Sequence, residues 1–325
     1  EFLFRRWDSG GLQLIVSART EELRRKPTLK SFLESLRVHP EALEIHLPDL
    51  GRRHGAALIK HLAGEPLSEE GVSQLQALAG GNPFFLIELT LEFLAGRLGP
   101  METPHDLVQI PLSIRQVLDR RLSQLSPTAD LLLGALSVFS RPLEMRGLVW
   151  IAHIPGSECM AGLDQLQDFR LVRHRDHRLV VSHELVRHTV YQGLTSTRRA
   201  WLHERVARHT LNVRDAPPPD ELAVHFHHAG LPEEARSYAM EAANHAEASG
   251  AIPEALRFLR LAREHSTDPE IVADLIGRMG HLNYLHQNLD EAAPLLELAG
   301  QRFRRQGDTA RALRAEIERI DCLGQ

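Results

Sequence analysis

From residue 51 onward the apolar positions recur with a helical period, and Gly, Pro and Ser break the pattern into segments. The spacing predicts helices over 52–63, 68–79 and 83–94, then over 112–125, 127–139, 143–152 and 156–169. Ahead of them the pattern differs. Leu12-Gln13-Leu14-Ile15-Val16 is a short apolar run that stops at Ser17-Ala18-Arg19-Thr20, which reads as a buried strand of an α/β sheet ending at its carboxyl edge. A short helix over 28–36 comes next, and Leu43-Glu44-Ile45-His46-Leu47 alternates as an edge strand does until Pro48. After the helical stretch, 171–175 and 178–181 read as two strands joined by a turn at Asp176-His177. Helical period then returns over 197–211 and persists to the end.

Past the linker Asp215-Ala216-Pro217-Pro218-Pro219 the pattern repeats itself. The segments at 230–235, 250–255, 287–292 and 307–312 share one turn-into-helix device, each ending in Ala235, Ala255, Ala292 or Ala312 where neighbouring helices approach closely. Helix pairs repeating in this way are similar to tetratricopeptide (TPR) repeats. Composition agrees with a helical chain of several units: 325 residues exceed one ordinary domain, and only 5% are aromatic. The formal charge of −5 argues against a chain built mainly to hold nucleic acid. No apolar run approaches a bilayer span and no signal-peptide pattern opens the chain, so a cytoplasmic protein is expected. Cys159 and Cys322 stand alone, which gives neither a disulfide framework nor a zinc site.

The candidate chemistry centres on Gly80-Gly81-Asn82-Pro83-Phe84-Phe85. The glycines close one helix and leave backbone N–H groups for a ligand, and Pro83 suits the first turn of the next. Such a helix start is a natural neighbour for a phosphate or a purine edge, although by itself it is also an ordinary helix start. A second candidate is Ser182-His183-Glu184-Leu185-Val186, where Ser182 is expected to cap a helix and put a neutral His183 in its first turn. Helix-capping or surface histidine is the plainer reading of that residue. Arg19, at the carboxyl edge of the first expected strand, either faces a ligand or pairs with a nearby Glu.

These segments resemble three motifs of STAND ATPases (signal-transduction ATPases with numerous domains), the group that includes large LuxR-type regulators and NB-ARC proteins. Gly81-Asn82-Pro83 resembles the Gly-x-Pro of the family's helical lid, whose proline lies against the adenine. Residues 18–23 resemble its sensor-arginine segment, with Arg19 at the arginine. His183-Glu184-Leu185 resembles its Met-His-Asp motif, whose histidine touches the β-phosphate of ADP, with Val181-Ser182 in place of the leading Met. The stretch from Pro111 to Pro127 is similar to the segment joining lid and winged helix in bacterial members.

The resemblance implies a mainly α, multidomain chain. Residues 1–50 would be a remnant of the α/β P-loop NTPase core, 51–110 a helical lid, 111–212 a winged helix, and 220–325 an α-solenoid of TPR-like repeats. It implies ATP/ADP as cofactor, with Arg19, Gly81, Pro83 and His183 around the nucleotide. It also implies a protein or small-molecule inducer on the repeats and the capacity for a nucleotide-dependent oligomer. DNA would be contacted only through a region outside the chain, if at all, and no membrane is implied.

Several alternatives are weakened by the residues themselves. The expected recognition helix carries Glu158, Asp164 and Asp168, which would oppose phosphates in a major groove, and Arg173, Arg175 and Arg178 fit a solvated hairpin. His183 and His188 are one residue too far apart for His-Glu-x-x-His. His225, His227 and His228 read as scattered surface histidines, with no Cys or paired carboxylate to complete a metal site. No Gly-x-x-x-x-Gly-Lys-Ser/Thr and no Mg²⁺-binding acid pair occurs, so the chain as given is not expected to hydrolyse ATP. If the family reading holds, those parts and the Mg²⁺ they hold lie upstream of Glu1, and the unfinished look of both ends fits a piece of something longer. The other readings are a nucleotide-independent TPR-like scaffold and a DNA-binding transcription activator.

Overall fold

The structure, a computed structural model, describes residues 15–17, 27–38, 42–64, 67–96, 110–139, 141–213 and 217–324. Among these it contains sixteen helices and two strands. The described residues divide into two compact units. One runs to Val149 and resumes from Ile154 to Gly193; the other joins Trp150–His153 to the stretch from Leu194 onward.

In the first unit, α1 (Pro27–Arg37) precedes three helices that pack on one another: α2 (Arg52–Ala63), α3 (Glu69–Ala79) and α4 (Pro83–Leu94). Their ends are set by local chemistry. Ser68 accepts the Gly71 N–H at 3.2 Å to cap α3, and Gly64 and Gly80 take left-handed conformations (φ 71° and 58°) to end α2 and α3. Ile59, Leu75, Leu86 and Leu89 form the buried seam of this trio.

Then come α5 (Leu112–Leu122), α6 (Pro127–Val138), α7 (Met145–Ala152), α8 (Gly156–Asp168), β1 (Val172–Arg175), β2 (Arg178–Val181) and α9 (Glu184–Gly193). The strands pair antiparallel, Arg173 opposite Val180 and Arg175 opposite Arg178. Their two-residue turn has positive φ at Asp176 (50°) and His177 (62°), the geometry that matches strand twist. Leu143 adds a bridge to Leu179, their backbones exchanging N–H···O bonds of 2.9 and 2.7 Å. Helix α6 is the centre of this half: Leu132, Leu133 and Leu136 are buried, and α8, β2 and α9 pack on it. Gly162 lets α8 approach closely, since a Cβ there would stand 2.7 Å from Leu132 Cδ1. Helix α9 also packs on α3, and this contact builds the candidate site.

The second unit is a row of helical hairpins: α10 (Ser196–Val213), α11 (Pro219–Ala229), α12 (Pro232–Ala248), α13 (Ile252–Glu264), α14 (Pro269–Leu285), α15 (Leu289–Arg305) and α16 (Thr309–Gly324). Each helix packs on the next, and α14 also meets α16, the nearest-neighbour pattern of a solenoid. The alanines marked by the repeat are all buried: Ala235, Ala255, Ala292 and Ala312. Helix α10, which the sequence reading groups with the preceding domain, packs on α11 and belongs to this row.

Two expected strands are not seen among the described residues, and residues 12–14 of the first lie outside them. The described part of 12–16, Ile15 and Val16, is not in a strand and is exposed, and so is the segment 43–47, with Leu43, Ile45 and Leu47 at 83%, 69% and 89% exposure. A strand is held by its neighbour's hydrogen-bond ladder, and no strand among the described residues pairs with either segment. The α/β remnant is therefore not seen in the described residues. No described helix is long and apolar enough to cross a membrane.

Candidate functional site

The site lies where α3 turns into α4 and meets the start of α9. Gly80 ends α3 with its N–H donating to the Gln76 carbonyl at 3.0 Å, and Gly81 (φ 84°) reverses the chain. Asn82 caps α4, its side-chain oxygen accepting from Phe84 and Phe85 N–H at 3.0 and 3.3 Å, and Pro83 occupies the first turn. This corrects one expectation: the N–H groups of Gly80, Asn82, Phe84 and Phe85 are taken up internally, so they do not form an open cradle for phosphate.

Each glycine instead admits a distant segment. A Cβ on Gly80 would lie 2.4 Å from His183 Nδ1, and a Cβ on Gly81 would lie 2.8 Å from Asp49 Cβ. The Asp49–Leu50 segment is tied in by Leu50 N–H donating to the Gly81 carbonyl at 2.8 Å. Phe85, buried beneath, meets the His183 ring edge-on at 6.0 Å between centroids.

His183 differs in position from the expectation. Ser182 N–H donates to the Leu171 carbonyl at 2.8 Å, which holds Ser182 at the end of the ribbon, and the His183 carbonyl accepts the first helical bond from Arg187 N–H at 3.1 Å. His183 is thus itself the N-cap residue of α9, one position before the first turn. Its Nδ1 is buried without a hydrogen-bond partner. Burial pushes the imidazole pKa down from its ordinary 6.5; Asp49 works against that shift, and Arg173 and Arg121 add to it. The downward direction agrees with the expected preference for a neutral imidazole, but desolvation is its leading cause.

Glu184, at the acid of the resembled motif, is engaged by Arg187 and His188 of its own helix. Burial alone would raise its pKa, but hydrogen bonds with His188 and Arg187 hold the carboxyl at about 2. Its Oε1 accepts from Arg187 Nε at 2.7 Å and from Arg187 Nη2, and stands 3.2 Å from His188 Nε2. Arg187 Nη1 donates to the Ser137 carbonyl at 3.1 Å in the last turn of α6, where a cation is favoured. This buried knot locks α9 onto α6 and so sets where His183 sits.

The structure therefore brings the turn that holds Gly81 against His183 through Gly80, and Pro83, two residues past Gly81, opens α4 and is exposed. Arg19 lies outside the described residues. Sequence reasoning missed Asp49, Phe85 and Arg187. Phe85 carried a signal in standing four residues after Gly81, and Arg187 in standing three residues after Glu184, the spacing of a helical ion pair; Asp49 carried none, because Gly81, which it meets, is remote in sequence. Among the described residues no group of three or more His, Cys, Asp or Glu is arranged to hold a metal ion.

No protein-family model matches the chain, and no curated protein matches it. Among solved structures it is similar to the crystal structure of a Signal Transduction ATPase with Numerous Domains (STAND) protein with a tetratricopeptide repeat sensor, from Pyrococcus horikoshii. The identity is 14% and the TM-score 0.36, over 89% of this chain and 50% of that one. This chain spans half the length of that protein.

Proposed function

We propose that the chain is a regulatory portion of a STAND-type ATPase, in which bound ADP holds a helical lid (α2 to α4) against a winged helix (α5 to α9) and its exchange for ATP releases them. The observation that carries this reading is the contact between His183 and Gly80, the residue just before Gly81-Asn82-Pro83, so that two segments far apart in sequence meet ring against backbone. A nucleotide would supply a purine face and an anionic phosphate end. The exposed Pro83 ring offers the purine an apolar surface, and the unpartnered His183 Nδ1, in its N–H tautomer, offers the phosphate a neutral donor. Arg121 and Arg173 offset the Asp49 charge that an incoming phosphate would meet. Arg19 is proposed as the third contact and the repeats as the seat of the inducer. Ligand-dependent release requires that ADP bind the closed arrangement more tightly than the open one.

The test is titration of the full-length natural protein with a fluorescent ADP analogue, with and without His183→Ala. At least a tenfold weaker ADP affinity with an unchanged ATP affinity is expected; equal ADP affinities would remove the clamp. A second reading, a nucleotide-independent scaffold, draws on a groove of about 160 Å³ between α14 and α16. Phe303 and Leu296 line its floor, with Arg278, Arg311 and Arg314 along the walls. That reading expects partner binding to be indifferent to nucleotide and lost on Arg311→Glu.

A further inference from the structure

Five histidines of the second unit form a continuous line across three helices. His203 of α10 and His225 of α11 place their Nδ1 atoms 2.8 Å apart, with the residues 1% and 5% exposed. The His203 ring lies 4.7 Å from that of His228, which lies 5.0 Å from that of His227. His227 Nδ1 is in turn 2.8 Å from Nε2 of His265, just past the end of α13. The histidines of α11 are therefore not scattered on the surface; they link α11 to the helix before it and to α13.

The chemistry of such a line is restrictive. A neutral imidazole has one donor and one acceptor nitrogen, so two facing nitrogens at hydrogen-bond distance hold one proton between them. One added proton elsewhere on the pair leaves that bond intact. Full protonation of both rings sets two N–H groups and two positive charges nose to nose. The neighbours fix how many protons are tolerated. Glu221, 3.9 Å from His225 Nε2, and Glu264 beside His265 favour a charge, as does the carbonyl end of α11 at His228. Against a second charge stand the adjoining imidazoles and Arg199, one turn before His203, which donates to the Leu194 carbonyl at 3.3 Å. Helix α12 meets α11 through Ala235 and the Tyr238 ring stacked on Phe226. Asp268, opening α14, is engaged with Glu270 N–H at 2.8 Å.

We propose that the paired histidines make the first hairpins of the repeat array a proton-sensitive joint: near pH 7.5 each pair shares a proton and fastens α11, and near pH 5.5 double protonation parts α11 from α10 and α13. His265 agrees in direction, its pKa being lowered by burial and then by His227, with Glu264 opposing. The inference is independent of nucleotide binding. Because the unfolded chain would accept protons that the packed pairs refuse, packing is favoured above the ordinary histidine pKa and weakens as pH falls below it.

The experiment is hydrogen exchange of the whole chain at pH 7.5 and 5.5, corrected for intrinsic exchange rates. Protection in α10, α11 and α13 is expected to fall about tenfold in all between the two pH values for each refused proton, because the ordinary histidine pKa lies midway between them, while α15 and α16 keep theirs. His203→Gln with His265→Gln, which leaves one imidazole per pair, is expected to abolish the drop, and His286→Gln, at an exposed site, to leave it in place. Should the double variant not fold, nitrogen NMR of the wild-type imidazoles reads the shared protons directly. Equal protection at both pH values, an equal loss in α15 and α16, or a stoichiometric transition metal on the purified protein would each overturn the proposal.

Discussion

Replacing Gly80 by Ala puts two separable strains on the candidate site, and a second glycine isolates one from the other. At φ 58° a Cβ costs about 1–2 kcal/mol in backbone strain, partly offset by the stiffer unfolded chain. That new Cβ also stands 2.4 Å from His183 Nδ1, well inside contact distance, so the ring must leave its seat against Phe85. Displacing a packed ring in this way adds about 1–3 kcal/mol. Gly64 ends α2 with a similar φ of 71°, and a Cβ there meets nothing within 4 Å. Gly64→Ala therefore carries the backbone strain alone. Because the two compact units need not unfold together, local opening free energies from hydrogen exchange in α4 and α9 are the appropriate measure. Gly80→Ala is expected to reduce protection in α9 by about tenfold or more beyond any effect of Gly64→Ala, tenfold being about 1.4 kcal/mol. In a His183→Ala background the excess should vanish, since an alanine side chain does not reach the new methyl. If the excess persists without His183, or if the two glycine variants behave alike, the packing of His183 on the α3–α4 turn is refuted.

The same geometry yields three further expected outcomes. With its pKa lowered chiefly by burial, His183 stabilises its contact with the α3–α4 turn above its ordinary 6.5, and that contribution is lost as pH falls through the depressed value; Asp49→Asn, by removing the charge that favours protonation, should move the loss to lower pH in a histidine NMR titration. Glu184→Gln leaves the buried Arg187 without its carboxylate and is expected to destabilise α9 by about 1.5–3 kcal/mol in hydrogen exchange. Since the Glu184 carboxyl is held at about 2, that gap should be full at neutral pH and shrink as pH drops below the ordinary 4.5. Gly280→Ala would set a methyl 2.9 Å from Leu296 side-chain atoms and 3.2 Å from its backbone nitrogen, which cannot swing aside. About 1–3 kcal/mol lost between α14 and α15 is expected from thermal melts.

What could be read from the chain and what could not divides along the range of the interactions. The bounds of α2 and α4 are legible because Gly51, Gly64, Asn82 and Pro83 set them within a few residues of the helices they delimit, and the ribbon because Asp176-His177 makes its turn locally. The segment 43–47 has the right alternation for a strand, yet alternation only sorts faces; a strand needs a partner elsewhere in the chain. The site shows the same division at the scale of one residue. Ser182 has the better capping side chain, but its N–H is held by the Leu171 carbonyl, a bond between segments about eleven positions apart, so the helix opens one residue later. That displacement alters what the imidazole can do. Inside the first turn, the His183 side chain would follow the phase of α9 and lie back along its flank. At the cap, where the backbone is not yet helical, it is released from that phase and reaches across to Gly80, a position whose missing Cβ leaves room for it. The Arg187–Glu184–His188 knot, which fixes α9 on α6, then determines how firmly that reach is held, so a lesion in a structural ion pair should weaken the contact with Gly80 without touching it.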